Sequence, residues 1–263
     1  MFNNIYRNIK IYLVTQKYNI RSFFIYRTQA LIWLAVLSFS STYQIIVVTI
    51  IYSVTKGIGG WSYYQMLALG GLSNIFSGIF FLTIGPYTIG RRLRDGWFDQ
   101  KLTKPYNPIF MLLASTGSFI FIGEFFVGLA TLIFASIMAQ ISILSIITLF
   151  IIFILGSFDM IFFILAITLA AYVVFKSSRF IEGIVSIGKY AAAYPLNIYG
   201  TAGLLLLSVV MPIGFATFYP AEAIFNKLGI GDISIIILIE LFILYFYYKI
   251  SEWLITKYTS GGG

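Results

Sequence analysis

Three acidic residues lie inside long apolar stretches of the sequence, where a charged side chain is energetically unfavourable. Glu124 and Asp159 lie near the middle of two such stretches, and Glu240 lies about two helical turns into another. An ionised acid at the bilayer centre costs at least about 2.5–3.5 kcal/mol, so each should face protein or water. They could form a substrate or proton path, or they could be protonated acids hydrogen-bonded to Ser, Thr or Tyr in a bundle. No lysine or arginine is expected at matching depth to neutralise them.

A second group of residues with chemical potential lies in the basic segment 89–108. Ile89, Leu93 and Trp97 recur every four residues, which predicts a short amphipathic helix that the following prolines end. Such a helix could transmit a push from a partner into the flanking apolar segments. It could equally be a basic anchor that contacts only lipid head groups. The charged side chains around its apolar positions are Arg91, Arg92, Arg94 and Asp95.

The residues that the sequence lacks exclude several kinds of chemistry. It contains no cysteine and no histidine, which excludes disulfides, Cys/His metal sites, an imidazole general base and a Ser-His-Asp triad. It also has no GxxxxGK[ST] phosphate-binding loop. We therefore expect no catalytic residue, metal site or cofactor in this chain. If ATP drives the protein, a partner chain must bind it.

The composition indicates lipid rather than water as the main solvent. The chain has 263 residues, of which 60% are hydrophobic and 10% are charged, whereas a soluble domain carries roughly 25% charged residues. A helix needs about 20 mostly apolar residues to cross the hydrocarbon core. The predicted fold is therefore an all-α polytopic membrane protein with six transmembrane helices.

The apolar stretches that could cross a membrane are separated by polar, proline-containing or glycine-rich segments. Glycines around 57–60 end the first stretch, and Gly85-Pro86 closes the second. Pro212 lies inside the fifth, where it removes one backbone hydrogen bond and should kink the helix. The predicted spans are about 28–55, 62–88, 109–137, 143–175, 201–218 and 233–250.

The segments outside these spans are predicted to be interfacial helices or loops. Residues 1–27 place apolar side chains on one helical face and basic side chains on another, which is typical of an amphipathic helix lying on membrane lipids. The alternative is a plain extension of the first span. Apolar residues at helical spacing between 181 and 188 predict a second amphipathic helix outside the bilayer. Residues 259–263 are expected to form a flexible tail.

The basic residues are concentrated on one predicted side of the membrane. Fifteen of the 17 Lys and Arg residues lie in the N-terminal segment, the 2–3 loop, the 4–5 segment and the tail. Because cytoplasmic loops carry an excess of Lys and Arg, this asymmetry places both termini in the cytoplasm of a multi-pass plasma-membrane protein. The formal charge of +8 is thus a topology signal, and no nucleic acid partner is expected.

Three stretches together resemble the ABC-2 type permeases, in particular a six-span branch of that family. They are residues 96–105 (GWFDQKLTKP) between spans 2 and 3, residues 194–199 (YPLNIY) ahead of span 5, and residues 212–221 (PIGFATFYPA) at the end of span 5. Their order and spacing match the family over nearly the whole chain. Asn197 departs from the pattern, which often has an acid at this position.

The resemblance implies an exporter permease with a fold like that of type V exporters, driven by a separate soluble ATPase that binds ATP and Mg. The cytoplasmic helix between spans 2 and 3 would dock in a groove of this ATPase, and a second permease chain, identical or related, would complete the transporter. The loop around Tyr219, Pro220 and Glu222 would partly re-enter the outer leaflet. The implied ATPase-coupling residues are Arg91, Arg94, Asp95, Trp97, Phe98, Asp99 and Lys101.

Two other functions remain as alternatives at this level. A proton-coupled secondary transporter could use the three intramembrane acids, although no inverted repeat is evident. A membrane enzyme or scaffold is the other, and the absence of histidine and cysteine counts against an enzyme. Aromatic spans with few polar residues favour a lipophilic or amphipathic substrate, such as a lipid, peptide or drug.

Overall fold

The computed structural model describes residues 2–55, 57–176 and 181–260; Lys56 and Arg179, both counted above as basic loop residues, lie outside them. Within these residues the chain forms helices and turns with one isolated β-bridge, in agreement with the all-α prediction. The helices are α1 (Phe2–Ile25), α2 (Arg27–Val54), α3 (Tyr63–Thr83), α4 (Pro86–Arg94), α5 (Asp99–Leu102), α6 (Pro108–Thr116), α7 (Ile122–Met138), α8 (Ile143–Phe175), α9 (Ile181–Ala191), α10 (Gly200–Leu205), α11 (Ile213–Ala216), α12 (Phe218–Ile224) and α13 (Ile230–Thr256).

Several of these helical segments are long and apolar enough to cross a membrane. A bent pair, Gly183–Ala191 with Leu196–Val210, meets the same length and composition requirement, and the bend between its two parts is 116°. The described residues therefore provide five spans, or six if the bent pair is one, consistent with a polytopic helical fold. The five continuous segments are Arg27–Val54, Tyr63–Arg94, Phe119–Met138, Ser145–Phe175 and Ile230–Thr256.

Helices α3 and α7 pack antiparallel with their backbones almost in contact. A Cβ added at Gly128 would lie 2.6 Å from both the carbonyl oxygen of Gly71 and the amide nitrogen of Ile75. At Gly78 it would lie 2.7 Å from the amide nitrogen of Phe125. Small residues allow membrane helices to approach this closely and so to gain dispersion contacts that the hydrophobic effect does not supply within lipid. Most residues of α3 are buried, so this pair forms the centre of the bundle.

Predicted spans 2 and 3 are both interrupted where they cross near the basic end of the bundle, which we define by Arg91, Arg92, Arg94, Lys101 and Lys104. A Cβ at Gly117 would overlap the carbonyl oxygen of Leu82, and the amide of Ser118 donates to the carbonyl oxygen of Phe81 at 3.0 Å. The structure thus corrects the single helix predicted over 109–137. The helical segments of both predicted spans are interrupted at this crossing. α6 is therefore a separate helix, and the apolar span that follows it is Phe119–Met138.

Helix α1 runs alongside α6 rather than continuing α2. The amide of Asn107 donates to Asn8 Oδ1 at 3.3 Å, and Gln16 Nε2 donates to the carbonyl oxygen of Ala114 at 3.4 Å. A break at Tyr26 separates α1 from α2. The N-terminal segment is therefore a separate helix that packs against α6, and its position on the membrane surface stays a prediction.

Helices α8 and α13 pack parallel to each other through aromatic side chains. The ring centroids of Phe162 and Tyr248 are 5.6 Å apart, and those of Phe163 and Tyr247 are 5.3 Å apart. The boundaries of α8 coincide with the predicted fourth span, and α13 extends the predicted sixth span at both ends. This pair forms the second tightly associated part of the bundle.

The loops remote from the basic end meet each other at the opposite end. Ser145 Oγ donates to Asn226 Oδ1 at 3.0 Å, and Lys227 Nζ lies 3.8 Å from the ring centroid of Trp61. The segments after α2, before α8 and before α13 therefore share one end. The tail after α13 returns to the basic end, so the structure groups these segments as the Lys and Arg distribution predicts.

The fifth predicted span, 201–218, is not a continuous helix. After α10 the chain forms a π-helical stretch, Leu206–Val210, and the backbone leaves helical geometry at Met211 and again at Thr217. Pro212 explains the first interruption because it has no amide hydrogen and its ring excludes the preceding turn of a helix. The kink predicted at Pro212 is therefore a break, and α11 and α12 that follow have only four and seven residues.

The fifth crossing of the bundle lies earlier in the chain than predicted. Asn197 Nδ2 donates to the carbonyl oxygen of Gly59 at 2.9 Å, which places residue 197 at the end opposite the basic end. Tyr247 OH, on α13, donates to the carbonyl oxygen of Val210 at 2.8 Å. Residues 181–199 thus rise through the bundle, and residues 200–224 form a hairpin that dips back into it. The amphipathic helix predicted between 181 and 188 therefore lies within the bundle instead of outside it.

Candidate functional site

The first part of the candidate site is the outward face of α4 at the basic end. Proline at the first position suits a helix start, and arginines in the last turn complement the helix dipole. Ile89 and Leu93 are fully buried, so the face predicted to be apolar does face the core. Arg91, Arg94 and Asp95 are exposed. Two cations and one carboxylate are therefore presented outward on a helix that is anchored inward.

A tight turn separates α4 from α5 and organises Trp97. Gly96 has φ of 68°, a left-handed conformation that glycine adopts at little cost. The guanidinium of Arg92 lies 4.2 Å from the Trp97 ring centroid and Lys101 Nζ lies 5.0 Å from it, as in cation–π contacts. The structure thus corrects the single amphipathic helix predicted in the segment 89–108, because the chain turns at Gly96 and α5 begins only at Asp99.

Phe98 faces inward, although the sequence assigned it to a surface that contacts a partner. Its side chain is fully buried and packs edge-on against Tyr258, with ring centroids 5.2 Å apart. Tyr258 in turn stacks on Tyr172 at 5.4 Å and donates its hydroxyl to the carbonyl oxygen of Leu93 at 3.1 Å. Phe98 therefore fixes the turn to α8 and to the tail, and it cannot touch a docked protein directly.

The tail after α13 is bonded to this surface. Ser260 Oγ donates to Asp99 Oδ2 at 2.5 Å, and Lys176 Nζ donates to Thr259 Oγ1. Burial, together with the adjacent Asp99 carboxylate, raises the pKa of Tyr258 well above its usual value, so its hydroxyl remains a neutral donor. The sequence predicted a flexible tail over 259–263; residues 259 and 260 are hydrogen-bonded, and 261–263 lie outside the described residues.

The second part of the site is an ion pair between a buried carboxylate and a partly exposed lysine, which the sequence did not predict. Lys189 Nζ, on α9, lies 2.9 Å from Glu124 Oε1 and 3.1 Å from Glu124 Oε2. Ser77 Oγ, on α3, donates to Glu124 Oε2 at 2.5 Å. The Glu124 side chain is fully buried, whereas that of Lys189 is 42% exposed. Three helices are therefore joined through one carboxylate.

This pair corrects two expectations about Glu124. It lies in the first turn of α7 rather than mid-span, because the preceding helix breaks at Gly117. A lysine does lie at matching depth, because α9 enters the bundle instead of lying outside it. A signal was present in the sequence: Ile181, Val185 and Lys189 recur every four residues, and the first two are buried. Lys189 therefore follows the buried residues on the same side of α9, with its side chain 42% exposed.

Asp159 and Glu240 are in a different environment. Both side chains are fully buried, and none of their four carboxylate oxygens has a hydrogen-bond partner among the described residues. They lie on α8 and α13, which pack against each other. Like-charged neighbours in a medium of low polarity cannot both ionise without a large cost, so this arrangement suits carboxyl groups that hold a proton.

The remaining predicted residues lie in the hairpin of residues 200–224. Pro212 ends the π-helical stretch, and Tyr219 stacks on Phe215 with ring centroids 5.0 Å apart. Pro220 is buried and Glu222 is half-buried. The predicted re-entrant loop thus corresponds to the second half of a longer hairpin that begins at Gly200. Among the described residues, no group of three or more His, Cys, Asp or Glu side chains is placed to hold a metal ion.

The fold and these sites define a multi-pass helical membrane protein. One end of it carries a charged surface to which the C-terminal tail is hydrogen-bonded. Residues 37–262 match the family described as ABC-2 family transporter protein. Because this match covers most of the chain, the protein belongs to that family, a class of membrane transport components. Comparisons with curated proteins and with solved structures gave no match.

Proposed function

We propose that this chain is the permease subunit of an ABC exporter, which moves a lipophilic or amphipathic substrate out of the cytoplasm with ATP hydrolysed by a separate soluble ATPase. Membership of the ABC-2 family supports a transport role with an ATPase partner. The single observation that carries the proposal is the exposed face of α4, which presents Arg91, Arg94 and Asp95. The opposite face of the same helix is buried in the bundle.

The contacts of α4 support its role as the element that receives mechanical work. It packs against α6, α8 and α9, and the adjoining turn is fixed to α8 and the tail through Phe98 and Tyr258. A displacement imposed on its outer face is therefore shared by several helices instead of being absorbed by a loose loop. Packed helices with two discrete arrangements convert such small shifts into larger movements.

A second permease chain, identical or related, completes the proposed transporter. Helices α2 and α13 expose large apolar side chains along much of their length, whereas α3 is almost fully enclosed. A chain with a filled centre has no wide path of its own, so a seam between two chains about a two-fold axis is the proposed conduit. The exposed apolar helices would face lipid or that second chain.

We place the basic end in the cytoplasm of a plasma-membrane protein, with both chain termini on that side. The support is the Lys and Arg excess at this end. In this orientation α1 lies at the cytoplasmic membrane surface and its basic face meets lipid head groups. The hairpin of residues 200–224 then enters from the outer leaflet, on the side where substrate would leave.

The test is co-purification of the tagged chain in mild detergent, followed by identification and quantification of any soluble chain that carries a GxxxxGK[ST] loop. We expect such an ATPase to be retained by the unaltered protein and reduced at least tenfold by Arg91→Glu combined with Arg94→Glu. Arg21→Glu on α1 makes the same kind of charge change at an exposed position and should retain the ATPase. Equal retention by all variants would contradict a docking role for α4.

A proton-coupled transporter is the second candidate, and the buried, unpartnered carboxyl groups of Asp159 and Glu240 favour it. It predicts that the purified chain alone, in liposomes with a proton gradient, moves a lipophilic fluorescent dye. Replacing Glu124, Asp159 and Glu240 by their amides should abolish that movement. Dye movement by the isolated chain that depends on these acids would replace the exporter proposal with this one.

A further inference from the structure

The ion pair between Lys189 and Glu124 occupies the junction between the α4 surface and the interior of the bundle. α4 packs against α9, and Lys189 on α9 binds both carboxylate oxygens of Glu124. Glu124 lies in the first turn of α7, and Ser77 ties the same carboxylate to α3. We infer that the Lys189–Glu124 pair is a positioning link that makes α9 move together with α7 and α3 when α4 is displaced. The displacement itself rests on the proposed function.

The geometry distinguishes this pair from an incidental surface contact. Of the two ion pairs among the described residues, the other, Lys249–Glu252, joins neighbouring turns of one helix, whereas this one joins two helices. Glu124 is fully buried and both its oxygens are occupied by Lys189 and Ser77. Breaking a buried pair leaves an uncompensated charge, so α9 and α7 separate only at a high cost while the pair exists.

The local shape of α9 explains why a specific link is useful there. α9 has only eleven residues and ends before the 116° bend. Its buried face holds Ile181, Val185 and Gly188, and a Cβ at Gly188 would overlap the methyl group of Met211. Apolar packing of this kind allows sliding of one helix on another. The ion pair instead fixes one point of α9 to one point of α7, so rotation about that point remains possible and translation does not.

The experiment uses the absence of cysteine from the chain, because two introduced cysteines are then the only sites for spin labels. Ile187→Cys on α9 and Ile133→Cys on α7 are exposed positions. The distance distribution between the two labels is measured in lipid nanodiscs, first without nucleotide and then with ATP and the co-purified ATPase. In the otherwise unaltered chain we expect one narrow distribution that keeps its width when ATP is added.

Charge variants of the pair then test the link. Lys189→Glu should at least double the width of the distribution without nucleotide, and the exchange of both charges (Glu124→Lys with Lys189→Glu) should restore the narrow distribution. Restoration by exchange is an effect that a purely packing role of either residue does not produce. If the charge-reversed chains do not fold, the Lys189→Gln variant is measured instead, and we expect the same broadening of its distance distribution.

Two results would overturn the inference. One is a distance distribution in the Lys189→Gln variant that is the same, with and without ATP, as the distribution in the labelled chain that keeps Lys189. The other is failure of the charge exchange to narrow the distribution in chains that elute as folded protein. Retention of the ATPase by the same variants is measured in parallel. The label distances measured without nucleotide do not require the ATPase. A result against the exporter proposal can therefore be distinguished from a result against the positioning link.

Discussion

The helix pairs α3–α7 and α8–α13 both bury acids within apolar segments, but they do so in different ways. In the first pair, Glu124 is bonded to Lys189 and Ser77, and glycines bring the two backbones together. In the second pair, aromatic rings separate the helices. Asp159 and Glu240 lie buried there without hydrogen-bond partners among the described residues.

This difference indicates that burial alone does not define the role of a membrane acid. A carboxylate with a cation and a hydroxyl donor can stay ionised and hold helices together. Two neighbouring carboxyl groups without donors are instead suited to the neutral form. We therefore treat Glu124 as a structural and positioning residue, and Asp159 and Glu240 as buried carboxyl groups without a hydrogen-bond partner among the described residues.

The largest predicted effect comes from removing the cation of the paired acid. Lys189→Met leaves Glu124 buried with only Ser77 as a partner, and we expect a loss of about 3 kcal/mol in the free energy of unfolding. The measurement is unfolding in mixed micelles followed by circular dichroism. The expected loss lies at the low end of the range for broken buried pairs because the Lys189 side chain is 42% exposed, so solvent screens part of the interaction.

The matched control removes both charges. Glu124→Leu with Lys189→Met leaves no unpaired charge, and apolar replacement of a buried pair is often neutral or stabilising, so most of the lost stability should return. Lys257→Met removes a cation from an exposed position and should have no effect. If the double variant were as unstable as Lys189→Met, the pair would not explain the loss.

The second prediction concerns the glycines that set the separation of α3 and α7. In Gly128→Ala the new Cβ would meet backbone atoms of Gly71 and Ile75 at 2.6 Å, and backbone cannot move aside as a flexible side chain can. We expect a loss of about 1–3 kcal/mol in the free energy of unfolding. The control is Gly231→Ala in α13, where no atom lies within 4 Å. That change should leave stability unaltered or raise it by about 0.5–1 kcal/mol.

The third prediction tests the unpaired acids of α8 and α13. Asp159→Asn and Glu240→Gln keep the shape of each side chain and remove its negative charge. If these groups are already neutral, each change should alter the free energy of unfolding by less than about 1 kcal/mol, as volume-conserving core changes do. The same measurement on Glu124→Gln should show a clear loss, because Lys189 then lacks its counter-ion. A loss for Asp159→Asn as large as that for Glu124→Gln would remove the distinction between the two helix pairs.

Much of the fold follows from the sequence because lipid imposes strong rules on it. The 143–175 stretch is predominantly apolar and lacks proline, and α8 occupies the same residues. The four-residue spacing of Ile89 and Leu93 correctly identified the buried face of α4. Helical periodicity and span length are local properties, and one sequence is enough to read them.

The errors arose where tertiary contacts decide the local structure. Gly117 breaks the third span because Leu82 crosses it, and no property of residues 109–137 alone shows that crossing. Phe98 is a surface residue by position and a core residue by its contact with Tyr258, which is 160 positions away in the chain. The Lys189–Glu124 pair similarly depends on α9 entering the bundle, where α9 packs against α4 and α8.

The smallest predicted effect separates ion pairs that join helices from those on a helix surface. Lys249 Nζ lies 2.8 Å from Glu252 Oε2, one turn away on α13, and its side chain is 53% exposed. Exposed pairs of this kind contribute little, because solvent screens them and both side chains lose freedom when they pair. We expect Lys249→Ala to leave the unfolding transition in mixed micelles unchanged within measurement error, whereas Lys189→Met shifts it strongly. A shift of similar size for both lysines would mean that the loss of any cation near the membrane destabilises the chain, and the contrast between the two helix pairs would then have no electrostatic basis.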